Sequence, residues 1–188
     1  MKKNFTILFD LDGTIVNTAP DLMAAHNHVM KKFGHQQKKL SDIKSLAGRG
    51  AWVMMQKSFK EKVQDEKLKK IMVSEFINFY GKNISNLSKP MEGIKDFLNW
   101  AKQKNISMAV CTNKQENLAV DLLKKLKMID YFEFIAGSDT FEFNKPDPRH
   151  LTNVVEIIKG DTIKKAGIDE GIDVIKILEM ASKSLILN

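Results

Sequence analysis

Asp10-Leu11-Asp12-Gly13-Thr14 follows the apolar run Ile7-Leu8-Phe9, and this junction is the most informative part of the sequence. The apolar run predicts a buried strand of a parallel sheet, and the glycine after it predicts a tight turn. Open α/β folds bind ligands at the carboxyl ends of such strands, and Asp10 and Asp12 point to the same side because strand side chains alternate. Two carboxylates held this close repel each other unless a cation lies between them or one stays protonated. The junction therefore predicts a divalent metal site with a nucleophile beside an acid or base, although an ordinary surface turn is the alternative.

The composition is typical of a globular protein with a hydrophobic core. Of 188 residues, 43% are hydrophobic and 28% are charged. No stretch approaches the roughly 20 apolar residues needed to cross a bilayer, and the first apolar run is too short for a signal peptide. The single cysteine, Cys111, cannot form an internal disulfide, which is typical of a reducing compartment. We therefore expect a cytoplasmic protein with no membrane segment.

The formal net charge of +7 raises the question of a nucleic-acid partner. The basic residues are spread over helix-like segments and alternate with acidic ones, as between Lys60 and Lys70. This pattern is typical of solvated helix faces. We expect no nucleic-acid partner, whereas a basic surface would attract small anionic substrates.

The chain from about Ala19 to Tyr80 has few strand signals and carries apolar residues at helical spacing. Two stripes predict helices with buried apolar faces, followed by Gly34 and Gly81. The first stripe is Leu22, Ala25, His26, Val29, Met30 and Phe33, and the second is Val63, Leu68, Ile71, Met72, Glu75, Phe76 and Phe79. Between the stripes, a glycine-bracketed turn presents a single arginine, Arg49.

From Pro90 onward, helical segments alternate with short apolar segments, which indicates a parallel sheet with helical crossovers. The predicted strands are residues 106–111, 132–136, 162–168 and 184–187, and the predicted helices are 90–104, 114–127, 147–158 and 172–180. The simplest architecture is an α/β fold, a doubly wound parallel sheet with helices on both faces and an inserted α-helical cap domain. We expect residues 1–16 and 88–188 to form the sheet domain and residues 17–87 to form the cap.

Two further groups of polar residues are candidates for binding an anion. Thr112 and Asn113 follow a predicted strand and can donate hydrogen bonds to a phosphoryl oxygen, although Thr-Asn is also a good helix cap. Lys145 precedes Pro146-Asp147-Pro148 and could neutralise a phosphoryl group, although most single lysines lie on the surface.

The run from Phe9 to Val16 resembles the first motif of the haloacid dehalogenase-like phosphohydrolases. Lys145-Pro146-Asp147-Pro148 resembles the third motif, and with Gly137-Ser138-Asp139-Thr140 it is similar to the phosphoglycolate phosphatase subgroup. Thr112 matches the residue that holds the transferring phosphate in that family. The resemblance covers nearly the whole chain and implies a Rossmann-type core with a helical cap.

The resemblance implies a magnesium-dependent phosphomonoester hydrolase that forms an aspartyl-phosphate, with 2-phosphoglycolate as the expected substrate. Asp10 would be the nucleophile, and Asp12 would protonate the leaving oxygen and then take a proton from water. Thr112, Asn113 and Lys145 would hold the phosphoryl group. Asp10 and Asp12 would also bind magnesium, Asp12 through its main-chain carbonyl.

The fourth motif of the family is matched only in part. Asp169 and Asp173 have the spacing of the family's metal-binding aspartates, but Ile168 stands where the family has glycine. A rival match at Gly160-Asp161-Thr162 lacks the second aspartate. We expect Asp169 to bind magnesium with Asp173 in support, and the altered motif leaves weaker metal binding open.

The resemblance also implies substrate contacts near the cap. Gly13 and Thr14, in the turn of the first motif, are expected to contact the substrate. Asn17 to Leu22 resembles the start of the cap, with Asn-Thr where the family often has Asp-Ser. Gly48-Arg49-Gly50 is similar to the cap loop that reaches the active site, so Arg49 is the expected substrate anchor.

Alternatives for the activity stay open at this point. The chain could be a phosphatase for a nucleotide or a sugar phosphate, or a phosphoglucomutase on the same scaffold. It could also be a degenerate member that binds phosphate without turnover. The sequence predicts a small phosphorylated metabolite as partner and leaves monomer and homodimer undecided.

Overall fold

The computed structural model of the chain describes residues 6–43, 50–59 and 64–160. Its elements are, in chain order, β1 (Thr6–Phe9), β2 (Val16–Asn17), α1 (Ala19–Lys32), α2 (Ala51–Gln56), α3 (Glu66–Lys82), β3 (Lys89–Pro90), α4 (Ile94–Gln103), β4 (Ser107–Cys111), α5 (Glu116–Lys125), β5 (Phe134–Ala136) and α6 (Arg149–Lys159). Short 3₁₀ turns lie at Leu40–Asp42 and Ile129–Tyr131.

The central sheet is parallel and has the strand order β1-β4-β5. Leu8 lies opposite Ala109 in the first pair, and Ala109 lies opposite Phe134 in the second. The three strands therefore end at one edge of the sheet, where the polar residues that follow β1 and β4 come close together.

Both faces of the sheet are covered by helices. All five residues of β4 are buried, and the side chains from Met108 to Cys111 alternate between two apolar clusters. Met108 and Val110 pack in the larger cluster with residues of α4 and α5, whereas Ala109 and Cys111 pack with residues of α6. Because parallel sheets need cover on both faces, this arrangement confirms the predicted doubly wound α/β fold.

The helices α1, α2 and α3 form a helical insert between β2 and β3. Helix α1 has a proline in its first turn and ends with two lysines. Helix α3 is preceded by its N-cap residue Asp65, whose side chain accepts hydrogen bonds from two main-chain amides. Such residues stabilise helix ends. Helix α1 packs along α3, and the buried apolar residues of the two helices join the larger core cluster.

The predicted stripe of α3 is correct only in part. Met72, Phe76 and Tyr80 are buried at a spacing of four, but Ile71 is 49% exposed, so its assignment to a buried face is wrong. Ile71 lies beside this narrow buried stripe and faces outward. Glu75 faces α1, where its carboxylate pairs with His28 at 2.7 Å and with Lys32 at 2.7 Å. Val63 lies outside the described residues.

Two short antiparallel strands, which the sequence analysis did not predict, connect the helical insert to the sheet. In this pair, Val16 lies opposite Pro90 and Asn17 lies opposite Lys89. Because β3 occupies the position where a helix was expected to begin, α4 begins only at Ile94, after a left-handed glycine with a φ of 72°. The pair lies at both ends of the expected cap, and the division into two domains stays a prediction.

A buried carboxylate links the two ends of the helical insert. Asp21, in the first turn of α1, accepts hydrogen bonds from the main-chain amides of Leu87 and Ser88 and from the Ser88 hydroxyl, at 2.6 to 3.0 Å. The side chain therefore ties the start of the helical insert to the chain that returns to the sheet. Because the carboxylate is buried, these hydrogen bonds compensate for its lost hydration.

The predicted strands at 162–168 and 184–187 and the predicted helix at 172–180 lie outside the described residues. The predicted helices at 114–127 and 147–158 correspond to α5 and α6 with small differences at their ends. Every helix among residues 6–43, 50–59 and 64–160 is too short or too polar to cross a membrane.

Candidate active site

A cavity of about 600 Å³ lies between the carboxyl edge of the sheet and the helical insert. Its floor carries the polar residues that follow the strands, and its other walls come from α1, α2, α3 and the start of α5. The lining includes Asp10, Asp12, Gly13, Leu22, Gly50, Trp52, Val73, Phe76, Ile77, Tyr80, Thr112, Asn113, Lys114, Leu118 and Lys145. The structure therefore brings together the first three motifs identified in the sequence.

Asp10 and Lys145 form a direct ion pair on the cavity floor. The Lys145 ammonium donates a hydrogen bond to Oδ1 of Asp10 at 2.7 Å, although 135 positions separate the two residues in the chain. The Asp10 side chain is 43% exposed and that of Lys145 is 22% exposed. Within the described chain, the second oxygen of Asp10 has no hydrogen-bond partner, so it is available to a substrate or a cation.

Asp12 is held at one oxygen by two groups. The Thr18 hydroxyl donates a hydrogen bond to Oδ1 of Asp12 at 2.7 Å, and Nζ of Lys114 lies 3.0 Å from the same oxygen. Thr18 occupies the position before the first turn of α1, but its hydroxyl binds Asp12 instead of capping that helix. Asp12 is therefore oriented by one residue of the helical insert and one residue of the loop after β4.

Lys114 is a buried cation that the sequence analysis missed. Its side chain is 5% exposed, and its ammonium donates a hydrogen bond to the Tyr80 hydroxyl at 2.8 Å. Burial lowers the pKa of Lys114, but the Asp12 carboxylate and the Tyr80 oxygen outweigh it, so the pKa lies above the usual lysine value. Its position in the sequence, directly after Thr112-Asn113, is the feature that could have identified Lys114 as a site residue.

Tyr80 supplies the other half of this contact from α3. Nζ of Lys114 lies 4.4 Å from the centre of the Tyr80 ring, within the range of a cation–π interaction. Burial raises the pKa of Tyr80 to about 12, so the phenol stays neutral and its oxygen can accept the hydrogen bond from the lysine.

Thr112 lies at the carboxyl end of β4, as predicted. It is 1% exposed, its amide donates to the carbonyl of Ala136 at 2.9 Å, and its hydroxyl accepts from the amide of Lys114 at 3.2 Å. Helix α5 begins later, after Gln115 at its N-cap position, so Thr112 and Asn113 do not cap it. Because a hydroxyl can donate one hydrogen bond while it accepts others, Thr112 can still donate to a ligand.

The two turn residues predicted to contact substrate have different positions. Gly13 lines the cavity and has a φ of 79°, a backbone conformation that glycine adopts without strain. Thr14 is exposed and is absent from the described lining. A substrate contact by Thr14 therefore has no support in this geometry.

The segment Gly137-Ser138-Asp139-Thr140 supports the loop that carries Thr112 and Lys114. Ser138 donates from its amide to the carbonyl of Lys114 at 2.9 Å, and Asp139 accepts from the amide of Glu116 at 2.8 Å. The Thr140 hydroxyl accepts from the amide of Gly137 at 2.8 Å and donates to the Glu116 carboxylate at 2.6 Å. These contacts fix the start of α5 against the end of β5.

Cys111 is a second potential nucleophile near the cavity, but its thiol is protonated near pH 7. Cys111 is the last residue of β4 and is 2% exposed. Burial raises the pKa of its thiol to about 12, so the thiol is neutral near pH 7. Since a thiolate is the nucleophilic form of cysteine, Asp10 is the better candidate at this edge.

Three expected site residues, Arg49, Asp169 and Asp173, lie outside the described residues. Gly50, which follows Arg49 in the chain, lines the cavity. Within the described lining, the Asp10 carboxylate and the main-chain carbonyl of Asp12 are the oxygens that could hold magnesium. These oxygens fit this ion, because magnesium in proteins is often bound through one or two carboxylates together with water and substrate phosphate.

The wall opposite the charged floor is apolar. It is formed by Leu22, Trp52, Val73, Phe76, Ile77 and Leu118. The cavity therefore has one end suited to an anion and one end suited to an uncharged or apolar group.

The chain is similar to known proteins over most of its length. The sequence model of the haloacid dehalogenase-like hydrolase family matches residues 7–175. The phosphoglycolate phosphatase of Agrobacterium fabrum is 38% identical over 168 residues, which are 88% of this chain and 72% of that protein. The phosphoglycolate phosphatase of Caulobacter vibrioides is 32% identical over 170 residues, which are 89% of this chain and 72% of that protein.

The fold is also similar to that of solved structures. The crystal structure of a predicted phosphoglycolate phosphatase from Haemophilus somnus superposes with a TM-score of 0.76 and 26% identity, and the match covers 86% of this chain and 73% of that one. The chain belongs to the haloacid dehalogenase-like hydrolases. Within this family it falls in the subgroup that resembles the phosphoglycolate phosphatases, and the relatives indicate a phosphatase.

We predict that Gly137→Ala disturbs the loop that carries Thr112 and Lys114. A Cβ at Gly137 would collide with the main chain of Glu116, which cannot move away as a flexible side chain could. We expect the free energy of unfolding, measured by urea denaturation, to fall by roughly 1–3 kcal/mol. The matched control is Gly81→Ala, whose Cβ would meet only the end of the Leu118 side chain at 3.4 Å. Equal stability of the two variants would contradict the supporting role of residues 137–140.

Proposed function

We propose that the protein hydrolyses phosphate monoesters, with Asp10 as the nucleophile. The observation that carries this proposal is the position of Asp10 on the cavity floor, where one of its oxygens is bound by Lys145 at 2.7 Å and the other has no hydrogen-bond partner among the described residues. A carboxylate oxygen would form a bond to phosphorus while the bond from phosphorus to the ester oxygen breaks. The product of this step is an aspartyl-phosphate and a free alcohol.

The other residues of the floor have roles that follow from their chemistry. Lys145 and Thr112 can donate hydrogen bonds to phosphoryl oxygens, and Asn113 also lines the cavity beside them. Asp12 would deliver its proton to the departing ester oxygen. In the second step, Asp12 would take a proton from water as the water oxygen attacks phosphorus, which releases phosphate and restores the Asp10 carboxylate.

Magnesium is the cofactor that we propose for this reaction. Asp10 and the main-chain carbonyl of Asp12 would hold it within the described residues, and Asp169 and Asp173 would complete the set. When bound, the ion would lower the repulsion between the Asp10 carboxylate and the phosphate dianion.

The substrate that we propose first is 2-phosphoglycolate, because the relatives at 38% and 32% identity are named for its hydrolysis. Arg49 is the proposed anchor for the second anionic group of this substrate, since its chain neighbour Gly50 lines the cavity. Guanidinium groups bind carboxylates through paired hydrogen bonds.

A second candidate is a phosphatase for a larger phosphate ester with an uncharged or apolar group. The cavity of about 600 Å³ falls among sites that hold drug-sized molecules, and its far wall is apolar. Such a wall would stack against a planar or apolar leaving group more favourably than against a carboxylate.

We predict that Asp10→Asn abolishes turnover, since the amide cannot act as the nucleophile. The value of kcat on p-nitrophenyl phosphate should fall by roughly a thousandfold or more, measured by release of nitrophenolate. Asp121→Asn is the matched control, because Asp121 is a partly exposed residue of α5 that pairs with Lys125 and is not among the described residues that line the cavity. Retained activity in Asp10→Asn would exclude Asp10 as the nucleophile.

We predict that the reaction depends on magnesium. Exhaustive chelation should lower phosphatase activity by about 100-fold or more, and added Mg²⁺ should restore it, since a bound cation supplies several kcal/mol of charge stabilisation. Full activity after chelation would remove magnesium from the proposal and leave the role of Asp10 unaffected.

A comparison of esters separates the two substrate candidates. We expect kcat/KM to be higher for 2-phosphoglycolate than for a nucleoside monophosphate or an aryl phosphate. The variant Val73→Ala, which trims the apolar wall, should then leave kcat/KM for 2-phosphoglycolate nearly unchanged. A preference of about tenfold for a larger ester, together with its loss in Val73→Ala, would favour the second candidate.

A further inference from the structure

Lys114 makes three contacts directly beside Asp12. Its Nζ lies 3.0 Å from Oδ1 of Asp12, donates to the Tyr80 hydroxyl at 2.8 Å and lies 4.4 Å from the centre of the Tyr80 ring. The Lys114 side chain is 5% exposed, whereas that of Asp12 is 24% exposed. The ammonium group is therefore enclosed, and its carboxylate partner is the more accessible member of the pair.

We propose that Lys114 is a positioning residue for proton transfer by Asp12, an inference that rests on the proposed function. Oδ1 of Asp12 already accepts a hydrogen bond from Thr18 at 2.7 Å and meets the Lys114 ammonium at 3.0 Å. The proton that Asp12 transfers is therefore carried on Oδ2. Lys114 and Thr18 together fix which oxygen of Asp12 meets the ester oxygen.

Tyr80 determines where the Lys114 ammonium can lie. A lysine side chain is long and flexible, so an ion pair alone would hold it in several rotamers. The phenol oxygen and the ring face of Tyr80 bind the same ammonium. Because Tyr80 belongs to α3, the alignment of Asp12 depends on how the helical insert packs over the sheet.

Direct binding of phosphate by Lys114 is the competing explanation, since Lys114 also lines the cavity. The two roles differ in which substrates they affect. An alkyl ester has a poor leaving group that needs a proton from Asp12, whereas p-nitrophenolate leaves without one. A phosphate-binding residue acts on the part that both esters share, so its loss would weaken both reactions equally.

The test measures kcat/KM of Lys114→Met for 2-phosphoglycolate and for p-nitrophenyl phosphate. This parameter reports the steps up to departure of the alcohol, so the later attack by water does not obscure it. We expect kcat/KM for 2-phosphoglycolate to fall by about 100-fold, as for loss of general acid catalysis, and that for the aryl ester to fall by less than about fivefold. Equal losses for both esters, or no loss for either, would overturn the proposal.

Two further variants show whether the effect is specific to the contact between Lys114 and Asp12. Lys102→Met is the matched control, because Lys102 lies on the surface over the ring of Tyr131 at 5.6 Å and away from the cavity. Tyr80→Phe keeps the ring and removes the oxygen, so it should shift the ratio of the two kcat/KM values about threefold in the same direction. If Lys114→Met does not fold, as judged by thermal unfolding, an unchanged ratio in Tyr80→Phe overturns the proposal by itself.

The same measurements distinguish a failure of the role proposed for Lys114 from a failure of the proposed function. If the wild-type protein hydrolyses neither ester, the proposed function fails and this inference fails with it. If Asp10→Asn removes both activities and Lys114→Met lowers both equally, the phosphatase proposal is supported and only the role of Lys114 is overturned.

Discussion

Two ion pairs between aspartates and lysines hold the polar edge of the sheet together. Asp10 meets Lys145 at 2.7 Å, and Asp12 meets Lys114 at 3.0 Å. Two carboxylates two positions apart would repel each other at the end of β1, and each lysine compensates one of them. Lys114 lies in the loop after β4 and Lys145 in the loop after β5. The two ion pairs therefore reduce the repulsion between the carboxylates and also hold these two loops beside the end of β1. The arrangement of the cavity floor therefore depends on the compensation of the two aspartate charges by the two lysines.

The helical insert contributes to this edge through side chains at its two ends. Thr18 at the start of α1 binds Asp12, Asp21 binds the returning chain at Ser88, and Tyr80 near the end of α3 binds Lys114. Each of these polar groups is nearly fully buried, and a buried polar group is costly when it loses its partner. The insert and the sheet therefore share buried polar contacts in addition to a continuous apolar core.

Local patterns in the sequence predicted the parts of the structure that local interactions determine. The alternation of helical segments with short apolar segments predicted β4, and the apolar stripe of α1 predicted that His26 and Val29 lie on a buried face. The motif residues Asp10, Thr112 and Lys145 were predicted to lie together, and they line one cavity. Lys114 and the β2–β3 pair were missed, because each depends on a partner far away in the chain that no local pattern identifies.

The charges of the cavity support the further cation that we propose for this site. Among the described lining residues, the two carboxylates of Asp10 and Asp12 are balanced by the two ammonium groups of Lys114 and Lys145. A phosphate monoester brings up to two more negative charges into a partly enclosed space, where like charges interact more strongly than in water. Since Lys114 and Lys145 are already paired, the additional charge has to be met by another group. A bound magnesium ion and the guanidinium of Arg49 are the groups that the proposed mechanism provides for it.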